Sequence, residues 1–164
     1  MQQDVDNNSS ESYDLENWLK LVQIPNFSAV SFKKLQRKYA IELGELFASP
    51  NTALAEMGFN AQQVNAISTP NAHLIDQSLM WLSNATNRFL IHYDHPNYPK
   101  LLKYISSPPP LIYGYGNVNY LNNDQIAMVG SRNPSPQGKE NAKFFANRLS
   151  ANGWTVTSGL ALGI

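Results

Sequence analysis

Residues 125–164 read QIAMVGSRNPSPQGKENAKFFANRLSANGWTVTSGLALGI, and the fold class turns on this stretch. Gln125 to Val129 is a short apolar run that passes straight into Gly130, the form of a buried strand ending in a turn. A loop containing Pro134 and Pro136 follows, and a helix is expected from near Gly138. In that helix Ala142, Phe145, Ala146 and Leu149 recur at i, i+3, i+4 and i+7 and define an inward face, with Lys139, Glu140, Asn147 and Arg148 pointing elsewhere. Gly153 supplies a stop, and Trp154 to Thr157 predicts a second strand ending at Ser158 and Gly159. Strand, helix and strand within roughly 35 residues is the unit from which parallel α/β sheets are built.

In open sheets of this kind ligands bind beyond the carboxyl ends of the strands. Two such ends are present: Gly130, Ser131 and Arg132 after the first strand, and the run from Ser158 and Gly159 to Gly163 after the second. Glycine lets backbone approach a ligand, N–H groups at a helix start attract anions, and Arg132 supplies a planar cationic fork. Together they describe a phosphate-binding pocket. The spacing leaves a plain alternative open, in which Gly130 and Gly159 make tight turns and Arg132 is a solvated charge. It matches neither G-x-G-x-x-G, since position 132 is Arg, nor a Walker A loop, since Gly138-Lys139 is followed by Glu140.

Upstream the periodicity is helical. Residues 1–11 are polar and read as a disordered tail. Ser12 is placed to cap a helix carrying Leu15, Trp18, Leu19 and Val22, and Ser28 to cap a second with Phe32, Leu35 and Tyr39 on one side. Ser49-Pro50 has the form of a cap and first helical position for a third helix, with Leu54 and Met57 inward and Gly58 as its stop. Val64 and Ile67 mark a short fourth helix, and Leu74, Ile75, Leu79 and Leu82 a longer fifth. Residues 12–86 thus predict an all-helical domain, and the pattern changes near residue 87. Within 87–164, Arg88 to His92 and Leu111 to Tyr115 read as strands, the second preceded by Pro108 to Pro110 and closed by Gly116.

The composition narrows the function classes. The 164 residues are 43% hydrophobic, enough for a buried core, and contain no cysteine, which removes disulfides, thiolate metal sites and a cysteine nucleophile. Twelve Lys and Arg balance twelve Asp and Glu, so an anion-binding surface has to come from local placement. The polar N-terminus lacks the pattern of a signal peptide and no apolar run has the length of a membrane span, so a cytoplasmic protein is expected, with no membrane partner. No carboxylate pair, Ser/His/Asp arrangement or metal cluster suited to acid–base chemistry is in view, so no catalytic residue, metal or cofactor is assigned.

Other candidates have bland readings. Lys33, Lys34, Arg37 and Lys38 read as a solvated helix face. His92 and His95 flank Asp94 but lack a third ligand, so they read as a turn before Pro96, and His73 stands alone on a polar face. Tyr93, Tyr98, Tyr104, Tyr113, Tyr115 and Tyr120 are read mostly as packing residues, with one or two left to stack on bases.

Tyr98-Pro99 with Leu101 or Leu102, then Leu111, Tyr113 and Gly116, then Ile126 to Arg132, Gly138, Leu149, Gly153 and the run Ser158 to Ile164 follow one another in an order that resembles the DNA-processing protein A (DprA/Smf) family. The resemblance covers roughly residues 88–164, and the helical unit stands where that family has a sterile-alpha-motif-like domain. It implies an extended Rossmann-like parallel α/β domain that binds single-stranded DNA and delivers it to the recombinase RecA, notably in natural transformation. It also implies a homodimer for the full-length protein. Gly130, Ser131 and Arg132 would be the phosphate-binding turn, Ser158, Gly159 and Gly163 the loop beside it, and Lys139 and Lys143 secondary basic contacts. The family pattern continues past Ile164, so the α/β domain is expected to be truncated here, with the helical domain the more self-sufficient part. The turn Ile24 to Ser28 lacks the glycines of a helix-hairpin-helix, which weakens a DNA role for the helical domain. Two other classes compete: a Rossmann-like nucleotide hydrolase of the lysine-decarboxylase-like (LOG) type, whose later Gly-Gly-x-Gly-Thr segment has no counterpart here, and a protein-interaction module.

Overall fold

The computed structural model describes residues 14–163; the expected tail, the cap at Ser12 and Ile164 lie outside the described residues. The chain divides into two compact units, one running through Asn117 and one from Val118 onward.

The first unit is helical at its start. Helix α1 covers residues 14–21, and α2 (Ala29–Tyr39) begins at Ser28, whose hydroxyl accepts from the Ser31 N–H at 3.1 Å. Leu21, fully buried, completes the inner face of α1 where Val22 was expected; the helix has ended by Val22, which is left exposed. Helix α3 (Leu43–Ala48) was not anticipated from the sequence. It starts where the Glu45 carboxylate reaches back to accept from the Glu42 N–H at 2.8 Å, and it buries Leu43 and Leu46. That helix changes the role of Ser49-Pro50. Ser49 ends α3, its hydroxyl donating to the Glu45 carbonyl at 2.8 Å, and Pro50 takes the cap position of α4 (Asn51–Glu56). Gly58 stops α4 at φ +97°, where a side chain would be strained. Helices α5 (Ala61–Ser68) and α6 (Ala72–Ser83) start at Asn60 and Asn71, both of which accept an N–H from three residues on.

Strands β1 (Arg88–His92) and β2 (Leu111–Tyr115) form an antiparallel hairpin with Leu90 opposite Tyr113. Leu90 and Leu111 belong to the same buried cluster as Trp18, Leu21, Phe32, Leu46, Leu54 and Ile67. The unit therefore extends past the change of pattern near residue 87, because the hairpin covers the open side of the helices. Between the strands Tyr98 is 1% exposed, and its hydroxyl donates to the Pro109 carbonyl at 2.8 Å. Burial, with the Tyr93 ring adding to it, pushes that phenol up to about 12.

The second unit holds β3 (Gln125–Ala127), α4's successor α7 (Pro136–Ala151) and β4 (Thr155–Thr157). β3 and β4 pair in parallel, Ile126 opposite Val156, as a strand–helix–strand reading requires. Helix α7 begins two residues before the expected start near Gly138. Ser135 caps it by accepting from the Gly138 N–H at 3.1 Å, and Pro136 occupies the first position, where its missing N–H costs nothing. Of the expected inward face Ala142, Ala146 and Leu149 are half-buried, while Phe145 is 56% exposed. Among the described residues every buried hydrophobic side chain belongs to the first unit. Two strands and one helix leave α7 without a buried residue.

Candidate functional site

Because β3 and β4 are parallel and in register, both loops leave the sheet at the same end. The Met128 N–H donates to the Thr157 carbonyl at 2.8 Å, carrying the pairing one step further before the chains diverge. Each loop then opens on a serine that closes a small turn: Ser131 Oγ accepts from the Asn133 N–H at 3.1 Å, and Ser158 Oγ from the Leu160 N–H at 3.3 Å. Gly130, Ser131, Arg132, Ser158, Gly159 and Gly163 are all exposed.

The loops meet at Gly163. Its φ is +112°, and a Cβ there would stand 2.7 Å from Arg132 Cα and closer still to the Ser131 carbonyl oxygen. Only glycine allows this approach of backbone to backbone. Gly159, by contrast, has open space around its α-carbon.

On the α7 side lies a cleft of about 370 Å³. Lys139 and Lys143, one helical turn apart, stand on its wall with Ser158 and Gly163, over an apolar floor that includes Met128, Ala142 and Val156. No carboxylate lines it. The structure thus brings Lys139, Lys143, Ser158 and Gly163 together in one concavity. Arg132 and Ser131 are joined to it through the Gly163 contact, without lining it. The start of α7 contributes less than the sequence suggested: Pro136 has no N–H, and the Gly138 N–H is taken by Ser135. Two ammonium groups beside loop backbone, on an apolar floor, can hold an anion that carries an apolar part.

The other candidates have structural occupations. His92 stacks on Trp18, ring centroids 5.3 Å apart, and its Nε2 lies 3.3 Å from an Asp14 carboxylate oxygen. His95 Nδ1 accepts from the Asn97 N–H, and the His73 ring hydrogen-bonds Gln77. Among the described residues no three His, Asp or Glu side chains cluster as a metal site. The tyrosines depart from the packing expectation. Tyr98 is buried, but Tyr104, Tyr113, Tyr115 and Tyr120 are 51–85% exposed. On the short strand β2 the side chains of Tyr113 and Tyr115 share a face, and no further strand covers it.

Among the described residues no helix is long and apolar enough to cross a membrane. Comparison with known proteins gives two consecutive family matches: residues 13–80 match the SMF/DprA SAM domain, and residues 89–164 match DNA recombination-mediator protein A. The chain is 28% identical to Protein Smf of Synechocystis sp. over 96% of its length and 29% identical to Protein Smf of Escherichia coli over 92%. It is 37% identical to the DNA processing protein DprA of Bacillus subtilis over 41% of its length, which is 23% of that relative. In both Smf proteins it spans 39% of the relative's length. No solved structure matches the chain. The helical first part, the strand–helix–strand that follows and the order of the two family matches agree, and the chain belongs to the DprA/Smf family of DNA-processing proteins.

Proposed function

We propose that the second unit binds the sugar-phosphate backbone of single-stranded DNA at the end of the sheet where both loops emerge, and that the chain acts as a binding protein that hands the strand to the recombinase RecA. The observation that carries this reading is the seating of Gly163 on the Ser131-Arg132 turn beside Lys139 and Lys143. It makes one anion-attracting surface from two loops and a helix. The family description as a recombination mediator supports the same role. Phosphate contacts of this type fix a strand without reading bases, so binding is expected to show little sequence preference. In this reading the protein works in the cytoplasm, the strand–helix–strand is the opening of an extended Rossmann-like sheet, and the full-length protein is a homodimer.

Fluorescence anisotropy with labelled single strands and with duplex of equal length, repeated over a salt series, tests it. Single strands should bind more tightly and with a steep salt dependence. Equal or stronger duplex binding refutes the assignment, and hydrolysis of a nucleoside monophosphate by the same preparation would favour the enzymatic class instead.

A further inference from the structure

The helical unit carries a second cationic concavity that the cleft of the second unit does not explain. Helix α2 contains Lys33, Lys34, Arg37 and Lys38 and no acidic residue, in a chain whose net charge is zero. Three of these four line a cleft of about 440 Å³ with Val30, Gln36 and Tyr93, and no carboxylate lines it. The loops after β1 complete the surroundings: Lys103 Nζ lies 4.9 Å from the centre of the Tyr93 ring, which itself packs against Tyr98. Lys33 is anchored, bonded to Asp94 and donating to Gln36 at 2.9 Å. Lys34 and Arg37 are exposed and have no ion-pair partner among the described residues.

The acids are gathered elsewhere. Asp14, Glu42, Glu45 and Asp94 line a separate concavity, and Gln36 borders both. Helix α2 therefore separates a cationic cleft from an acidic one, which a solvated helix face with interspersed charges would not do. Two unpaired cations one turn apart, with a third cation over a tyrosine ring, suit the spaced negative charges of a polyanionic strand.

We propose that the α2 cleft is a second nucleic-acid contact, in which Lys34 and Arg37 hold backbone phosphates of a single strand and Tyr93 and Lys103 form its edge. This rests on the reading of the chain as a single-strand binder but places a site on the helical unit, where the sequence offered none. Phosphate contacts at this site add to affinity and salt dependence and carry no base preference.

The test uses the full chain, a fluorescein-labelled oligothymidine and a salt series. The Lys34→Gln/Arg37→Gln double variant should bind more weakly and lose about 1.4 from the log–log salt slope, at about 0.7 per single-strand phosphate contact. In a heteronuclear NMR titration of the unaltered chain, the amides of Lys34, Arg37 and Tyr93 should shift. An unchanged slope and affinity in the double variant, while Lys139→Gln/Lys143→Gln weakens binding, overturns this site and leaves the proposed function standing. The reverse pattern supports this site and removes the cleft of the second unit. Failure of the unaltered chain to bind oligothymidine overturns both. If the double variant instead loses only a concentration-dependent self-association in sedimentation, the cleft is a protein contact and the proposal is wrong.

Discussion

Gly163→Ala probes the junction on which the proposed binding surface depends. At φ +112° an alanine is in a region that residues with a side chain rarely occupy, a strain of about 1–3 kcal/mol. Its Cβ would also stand 2.7 Å from Arg132 Cα, so the Ser131-Arg132 turn must retreat by about 0.7 Å to reach the 3.4 Å of an ordinary contact. The obstructing atoms are backbone, so no rotamer change relieves the clash. The closed arrangement of the two loops then becomes a minor state, and apparent affinity falls by the fraction that remains competent. A strain of 1–3 kcal/mol corresponds to a loss of about 5-fold to about 150-fold in affinity for single-stranded DNA. Gly159→Ala is the control, because nothing lies within 4 Å of its added Cβ. It should stay within about twofold of the parent, as surface substitutions usually do. Anisotropy titrations of the three proteins give the answer directly. If Gly163→Ala binds as tightly as Gly159→Ala, the loops do not need to abut and the reasoning fails.

Arg132→Ala should weaken binding to all single-stranded sequences alike and lower the log–log salt slope by about 0.7, with an unchanged circular dichroism spectrum since Arg132 is exposed; unaltered affinity would remove its role. Burial holds the His92 imidazole below its ordinary value of 6.5, outweighing the Asp14 and Asp94 carboxylates that pull it up, with His95 and Lys33 also lowering it. The unfolded chain therefore takes up the proton first, so this group's contribution to stability is complete above pH 6.5 and is lost as pH falls through the lower folded-state value. Melting temperatures measured from about pH 7.5 down to about pH 5.5 should fall, and His92→Phe, which keeps a ring on Trp18, should flatten the profile. Amide hydrogen exchange should be slowest in the helices around Trp18, Leu46 and Leu54 and faster throughout α7, which buries no side chain; equal protection in α7 would contradict the packing described here.

Local chemistry was legible in the sequence wherever one residue type does one job. The two parallel strands, the serine cap of α2, the stop at Gly58 and the hairpin strands follow from glycines, prolines and apolar periods, because these act through backbone dihedrals and over a few residues. The motifs Gly130-Ser131-Arg132 and Ser158 to Gly163 likewise marked the end of the sheet that holds the cleft. What escaped were competitions. Ser49-Pro50 could end one helix or begin the next, and Ser135-Pro136 could be loop or cap; which happens depends on whether a neighbouring helix such as α3 buries its leucines. The placement of Lys139 and Lys143 beside Gly163, the pressing of Gly163 onto Arg132, and the gathering of Lys33, Lys34 and Arg37 beside Tyr93 join residues dozens of positions apart. No period or short motif encodes such neighbours, since they are set by how helices and strands pack, and only the tertiary structure decided them.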